Sequence, residues 1–571
     1  MNLFQVFKLV GHYSKSYKNK MISCFFLLLL EALITSLSFA SIIPFVNIII
    51  KGDGGNINFP FIGKYINELL VINPFLIILI IAILLFSKSV VTILRVALSI
   101  HIGVGLKAKW IGQMLGSLTY THIKQLSNTE EGHKFSNIYI LPEKSSAFIV
   151  SSFGYISIIA QAISIIIVMF FVEWKILFIG IILIGISFFC LHKPYINLAS
   201  VMGVKTIKIK QTVFSYIYDS IRNIRDIKIF NLHNIIIKQL NTILSNEKKF
   251  EFKKQFINVF PSYSIELIAA VLLLIIYFVL LGSSKDSINF LLPKIIFFSV
   301  SVQKLLNSSA TIASLNFKVV TQFKNFELMD KILTESLDEY EINKKANKKI
   351  PTSKKSLILK NLSFFYNKKQ KILNNVNITI PLKKMIFFIG NSGTGKSSLM
   401  DIICKLREPS NGKVLLDDID INQFNLQKWR DRISYVSQEP TFFSGTILDN
   451  ITLFNKDINL KLVRKTAELI DCDKFIMETP KQYETLLSSS ASNLSGGQRR
   501  RIALIRSLLK DPDILILDES LSSVDEKHEI KIIKKLKKIK KLSIFFISHR
   551  LSSIDLADEV FLFKNKNIFN K

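Results

Sequence analysis

Residues 492–525 read SNLSGGQRRRIALIRSLLKDPDILILDESLSSVD, and this stretch decides the fold. Gly496-Gly497 makes a turn, and an amphipathic basic helix follows it. Asp511-Pro512-Asp513 breaks that helix. Ile514 to Leu517 is a short aliphatic run that ends on two carboxylates, Asp518 and Glu519. Acids at the carboxyl end of a buried strand stand where open α/β sheets place metal and nucleophile chemistry. Upstream, Gly390-Asn391-Ser392-Gly393-Thr394-Gly395-Lys396-Ser397 fits the phosphate-loop pattern G-x-x-x-x-G-K-[ST]. It follows an apolar strand, Met385 to Ile389, and opens a helix, as the chemistry requires: glycines turn backbone N–H groups toward phosphate oxygens, and the helix adds its dipole. Lys396 is expected to reach the β- and γ-phosphates of ATP, and Ser397 to ligate Mg²⁺. Asp518 is expected to hold the same ion through water, and Glu519 is the candidate general base. The C-terminal third therefore reads as an α/β P-loop NTPase domain.

Working outward, 571 residues are too many for one core. Hydrophobic content is 49% and mean hydropathy +0.35, yet 20% of residues are charged. Apolar runs lie before about residue 310, and charge is denser after it. The net charge of +31 fits Lys/Arg-rich cytoplasmic loops of a membrane protein. No basic run interleaves with aromatics, so no nucleic-acid partner is expected. The Lys-rich run 527–541 reads as a solvated face. The cysteines, Cys24, Cys190, Cys404 and Cys472, form no C-x-x-C pair and are expected to be reduced and buried. The first apolar run is of full transmembrane length, so a cleavable signal is not expected.

Six apolar runs exceed or approach the ~20 residues that cross a bilayer. They cover about 21–50, 72–100, 147–172, 176–191, 259–281 and 288–313. The connections after the first, third and fifth are short, and those after the second and fourth are long and basic. The Lys/Arg excess places the N-terminus and both long loops in the cytoplasm, and an even number of spans returns the C-terminus there. The reading is a six-helix membrane domain over 1–325, a polar linker over 326–353 and the α/β domain over 354–571.

With these motifs quoted, the chain resembles the ATP-binding cassette (ABC) family. Leu494-Ser495-Gly496-Gly497-Gln498 is similar to the family signature letter for letter. The resemblance covers about 355–570 and implies further roles. Tyr366 stands where an aromatic stacks on adenine, and Ser398 closes the phosphate loop's contact set. Gln438 stands as the glutamine that senses Mg²⁺ and the membrane domain, Asp525 as the D-loop acid, and His549 as the switch histidine near the γ-phosphate. The signature is expected to cap ATP held by a second subunit, so one chain has parts of two sites. Both halves are intact, which favours a homodimer over a heterodimer with one degenerate site.

The membrane half resembles the exporter type, with coupling helices expected near 126–137 and 219–227. EALITSLSFASIIPF (31–45) and VFPSYSIELIAAV (259–271) are similar to flippases of lipid-linked oligosaccharides. The resemblance implies membrane lipids and an amphiphilic or lipid-linked cargo as partners, with a peptide or other hydrophobic small molecule as the alternative, in the inner membrane. Ionisable groups within spans are costly and are candidates for the cargo path: Glu31, Arg95, Glu266 and Lys304. Two departures from the family stand out. Ser488–Ser492 carries no acid just ahead of the signature, and Lys566 occupies a position where a turn glycine is usual.

Overall fold

The computed structural model describes residues 17–42, 45–46, 75–121, 131–172, 174–281, 285–338, 348–351, 354–367, 370–488, 491–519, 526–548 and 553–570. Within these, the side chains of residues 75–77, 172, 174–196, 261–281, 285–295, 298, 335–338, 367, 370 and 526–527 lie outside the description. The chain forms two compact units, Met1–Thr119 with Ser127–Asp338, and Tyr120–Leu126 with Glu339–Lys571.

The described part of the first unit is helical: α1 Lys18–Ala40, α2 Phe75–Tyr120, α3 Glu131–Val172, α4 Trp174–Arg222, α5 Ile224–Ile229, α6 His233–Leu281 and α7 Lys285–Asp338. Among the described residues, three stretches are long and apolar enough to cross a membrane: Lys18–Ala40, Ile78–Tyr120 and Glu131–Phe171. The fourth, fifth and sixth expected runs fall within α4, α6 and α7. Helix α2 has 46 residues. At ~1.5 Å per residue it is about 69 Å long, against a hydrocarbon core of ~30 Å. The polar stretches read as long loops are therefore mostly helix that leaves the apolar layer. Their Lys, Glu, Gln and Leu residues sustain a helix as well as apolar residues do. Helix α7 likewise runs to Asp338, into the stretch read as linker. The six-residue α5 lies within the second expected coupling segment. The first begins outside the described residues and continues into α3.

Aromatic packing holds this unit together. Trp110 (α2), Phe148 (α3) and Phe326 (α7) are fully buried. Their rings meet at 5.9 Å (Trp110–Phe326) and 5.5 Å (Phe148–Phe326), within the range of favourable aromatic pairs. Gly203 lets α4 approach α7, because a Cβ there would lie 2.9 Å from the Thr321 carbonyl oxygen.

The second unit has strands β1 Ser356–Asn367, β2 Gln370–Pro381, β3 Met385–Gly390, β4 Asn411–Leu416, β5 Ile419–Asp420, β6 Ile433–Val436, β7 Gly445–Thr446, β8 Leu486–Leu487, β9 Ile514–Asp518, β10 Ser543–Ile547, β11 Glu559–Lys564 and β12 Asn567–Asn570. A six-stranded sheet runs β12-β11-β3-β10-β9-β6, and a four-stranded antiparallel sheet runs β2-β1-β4-β5. In the larger sheet only β12 is antiparallel to its neighbour. The sequence of these strands explains why. Alternate residues of a strand face opposite sides. In β3, Met385, Phe387 and Ile389 enter one core, while Ile386 and Phe388 enter the other. Leu515 and Leu517 of β9 and Ile544 and Phe546 of β10 join the first; Ile514, Ile516, Phe545 and Ile547 join the second. A sheet buried on both faces needs continuous apolar strands, which MIFFIG, ILIL and SIFFI supply. This is the helical membrane domain plus α/β cassette that the sequence implies.

Candidate functional site

The parallel register assembles the cassette site. Phe388 of β3 lies level with Ile547 of β10, and Ile547 lies level with Asp518 of β9. The glycine loop after β3 and the acids after β9 thus leave the sheet at the same edge, although more than a hundred residues separate them.

The loop leads into helix α8, Lys396–Ile403. Gly395 caps that helix at φ +100, and a Cβ there would meet Ile372 Cγ2 at 2.5 Å. Only glycine satisfies both conditions. Lys396 Nζ donates to the carbonyl oxygens of Gly390 at 2.8 Å and Asn391 at 2.9 Å. Burial lowers the pKa of this amine, and Glu519 and Asp518 oppose the shift. Ser397 Oγ donates to Asp518 Oδ2 at 3.0 Å. Gln438 Nε2 donates to Glu519 Oε2 at 2.8 Å. The predicted acids, amide and hydroxyl are therefore neighbours. Glu519 sits at φ +46, and its backbone N–H is tied to the Ile547 carbonyl at 3.0 Å. A non-glycine residue in this region is strained, a condition that functional positions often carry.

Tyr366 is half-exposed and its hydroxyl lies 3.0 Å from Ser398 Oγ. Thr394 Oγ1 turns inward to the Asn391 carbonyl at 2.8 Å, Ser392 and Gly393 lie in the same turn, and the Cβ position of Gly393 faces open space.

The signature forms the start of helix α9, Gly496–Leu509. Ser495 Oγ accepts from the Gln498 N–H at 3.2 Å, and Gln498 Oε1 accepts from the Ser495 N–H at 2.8 Å. This reciprocal capping box uses the serine and glutamine of LSGGQ, with Leu494 buried behind them. Gly496 differs from Gly395: a Cβ there meets nothing within 4 Å. Among the described residues, nothing excludes a side chain at that position. Gly497 is the next residue of the same helix.

Three contacts escaped the reading of the sequence. The Tyr435 hydroxyl donates to Asp518 Oδ2, and burial together with that carboxylate raises its pKa, so it stays a donor. Tyr435 is the penultimate residue of β6, three residues before Gln438, but its side of the strand is set by pairing. The Arg407 guanidinium lies 4.8 Å from the Tyr366 ring centroid. Arg500 Nε of α9 donates to the Gln438 carbonyl at 2.9 Å, joining the signature helix to the glutamine loop. Asp525 and His549 lie outside the described residues, as do Ser489 and Ser490 of the serine-rich segment.

For Mg²⁺, the neighbouring Ser397 hydroxyl and Asp518 carboxylate are hard oxygen donors of the kind that ion takes. Among the described residues no group of three or more His, Cys, Asp or Glu forms another metal site.

In the membrane unit, Glu31 and Arg95 come together. Arg95 Nε donates to Glu31 Oε2 at 2.6 Å, and both side chains are buried. Thr92 Oγ1, Ser157 Oγ and Gln161 Nε2 also donate to the Glu31 carboxylate, at 2.7, 2.9 and 3.2 Å. The knot binds α1, α2 and α3. Lys304 of α7 takes no part in it, and the Glu266 side chain lies outside the description. Cys24, Cys404 and Cys472 are free and buried. In the Lys-rich run, Lys531 and Lys535 pair with Asp471, Lys537 with Asp558 and Lys541 with Asp511. That is an ion-paired surface.

Residues 373–522 match the family model described as ABC transporter, and residues 21–309 match that of the ABC transporter transmembrane region. The chain is 32% identical over 363 residues to the lactococcin-G-processing and transport ATP-binding protein LagD of Lactococcus lactis subsp. lactis, covering 61% of this chain and 49% of that one. It is 36% identical over 207 residues to an ATP-dependent lipid A-core flippase of Chromohalobacter salexigens, covering 36% of each. The matched stretches thus span about half or less of these curated relatives. A solved structure of a bacterial Atm1-family ABC exporter with ATP bound has the same fold, with a TM-score of 0.82 at 18% identity over 97% of this chain and 94% of that one. The transmembrane-region match alone takes in just over half of the sequence, and with the cassette match beside it the chain belongs to the ABC transporter family.

Proposed function

We propose that the chain is half of a homodimeric exporter that hydrolyses ATP to move an amphiphile across the inner membrane. The observation that carries this reading is the pairing of Ser397 with Asp518 and of Gln438 with Glu519 beside the phosphate loop, in a chain that also bears long apolar helices. In this reading Lys396 leaves the loop carbonyls for the β- and γ-phosphates, and Tyr366 stacks on adenine. Gln438 holds the Glu519 carboxylate toward the attacking water, from which Glu519 takes a proton. Ser397 and Asp518 would hold Mg²⁺, which when bound neutralises charge on the phosphates.

The signature supports the dimer. Its serine and glutamine are spent on their own helix cap, and Gly496 faces open space. A helix N-terminus with free N–H groups and no covering side chain is an anion site. The ATP it serves is that of a second copy. The Lys/Arg excess of the N-terminal stretch and of the two long connections supports cytoplasmic termini and cassettes.

The cargo reading is a lipid-linked oligosaccharide. The lipid A-core flippase relative supports a lipid cargo. One observation favours a second reading, peptide export: the match to LagD covers 61% of this chain. A proteoliposome assay separates them. ATP should move a fluorescent lipid-linked oligosaccharide, and a labelled peptide should stay put. Peptide movement with a stationary lipid would overturn the first cargo, and no ATP-dependent movement of either would overturn the export reading.

A further inference from the structure

A cavity of about 260 Å³ lies among α3, α4, α6 and α7. Each of the four helices places one lysine on its lining: Lys144, Lys210, Lys254 and Lys318. The lining has a single acid, Glu251, and both of its oxygens accept from Lys254 at 3.1 Å. Lys144 is paired with Glu143 at 3.2 Å. Among the described residues, Lys210 and Lys318 have no acid partner. Converging like charges are costly without a counter-charge, so the cavity has an unfilled demand for an anion. A solvated lysine face would not need a cavity, nor four separate helices aimed at it.

Two other features narrow the ligand. Gln322 Oε1 lines the same cavity, is buried and has no hydrogen-bond partner. A buried acceptor left unpaired costs about 1–3 kcal/mol, so a ligand hydroxyl or amine has a reason to be there. Ile140, Ile207 and Phe317 supply an apolar wall. The volume is below the ~300 Å³ at which pockets begin to enclose a drug-sized molecule, so it suits a headgroup rather than a whole amphiphile. Lys144, Lys254 and Lys318 lie within about two helical turns of Ala147, Val259 and Ala313, where the apolar runs begin or end. Those three sit at the edges of the apolar runs, where lipid headgroups lie, while Lys210 stands 19 residues beyond Leu191 on α4.

We propose that this cavity is the cytoplasmic-side receptor for the phosphate-bearing headgroup of an anionic amphiphile. Lys210 and Lys318 carry the phosphate, and Gln322 takes a hydroxyl or amine beside it. The inference rests on the export reading for its biological meaning, but its test needs no ATP. Radiolabelled farnesyl diphosphate would be bound to the full chain in phosphatidylcholine nanodiscs without nucleotide. The wild-type chain should bind it in a salt-sensitive way. Lys210→Gln with Lys318→Gln should weaken binding at least tenfold, while Lys210→Arg with Lys318→Arg should keep it. An unchanged thermal midpoint in the Gln pair establishes that the loss is not unfolding. Farnesol should not compete. Inorganic pyrophosphate competing as well as the lipid would assign the site to free phosphate; weak competition assigns it to the lipid headgroup. Binding of the Gln pair within twofold of wild type, or an acidic peptide displacing the probe more tightly than unlabelled probe does, overturns the proposal. If binding behaves as expected but no cargo moves in the ATP assay, the export reading fails and the headgroup site stands.

Discussion

Two glutamates, Glu31 and Glu519, divide this molecule by what is done to a carboxylate. Glu31 is locked. Four donors from α2 and α3 meet its two oxygens, one of them a guanidinium, and it is 2% exposed. Glu519 is poised. It sits at a strained φ of +46 at the end of β9, and its Oε2 takes a side-chain amide from Gln438, in the loop after β6. Saturated hydrogen bonding gives rigidity, whereas an acid at a strained strand end beside the phosphate loop is placed for proton transfer. The difference teaches that a charged residue in an apolar run is not by itself a transport residue. Glu31 and Arg95 were candidates for the cargo path, and the structure makes them each other's partners.

The largest expected effect tests the poised acid. Glu519→Gln should lower ATP turnover by 10²–10⁴-fold, the usual range for a general base, while nucleotide binding persists. Phosphate release measured beside nucleotide binding checks this, and undiminished turnover would remove Glu519 from the role. Next comes the locked acid. Glu31→Ala leaves Arg95 buried without a counter-charge and should cost about 3–5 kcal/mol. Thermal unfolding in detergent reads it, and replacing Arg95 by Met in the same chain should restore part of the loss. If Glu31→Ala unfolds at the wild-type midpoint, the contrast between the two glutamates collapses.

A smaller effect separates cis from trans. Ser495→Ala breaks the capping box and should cost α9 about 1 kcal/mol. Gly496→Ala should cost stability little, since its Cβ meets nothing, yet should depress turnover in the dimer. Wild-type turnover in Gly496→Ala would count against a ligand from a second copy at that face. The smallest concerns the β11–β12 hairpin. Asn565 and Lys566 sit at φ +51 and +63, the left-handed pair of a tight turn. Lys566→Gly should therefore raise stability by about 1 kcal/mol, seen as a higher unfolding midpoint of the cassette signal.

Much of this was legible in residues 385–398 and 492–519. Glycines at fixed spacing, a lysine and two acids after an aliphatic run leave few alternatives, because phosphate binding demands bare backbone N–H groups. The absence of a glycine at 566 was equally legible, and the backbone there keeps the left-handed turn regardless. Tyr435 and Arg407 were not legible: each joins the site through a neighbouring strand or a cation–ring contact that no local pattern encodes. The polar stretches after the second and fourth apolar runs are mostly helix, because loss of hydropathy marks the end of a membrane run, not of a helix.

The sequence by itself determined the phosphate loop, the signature, the continuous apolar strands on either side of the phosphate loop and the acids, and the apolar runs. These depend on short-range spacing and on solvent preference, both written along the chain. The tertiary structure alone decided which charges are partners. Glu31 meets Arg95 across two helices, Asp518 meets Ser397 across β10, and four lysines from four helices line one cavity. Electrostatic energy depends on distance and burial, and neither is fixed until the chain has packed.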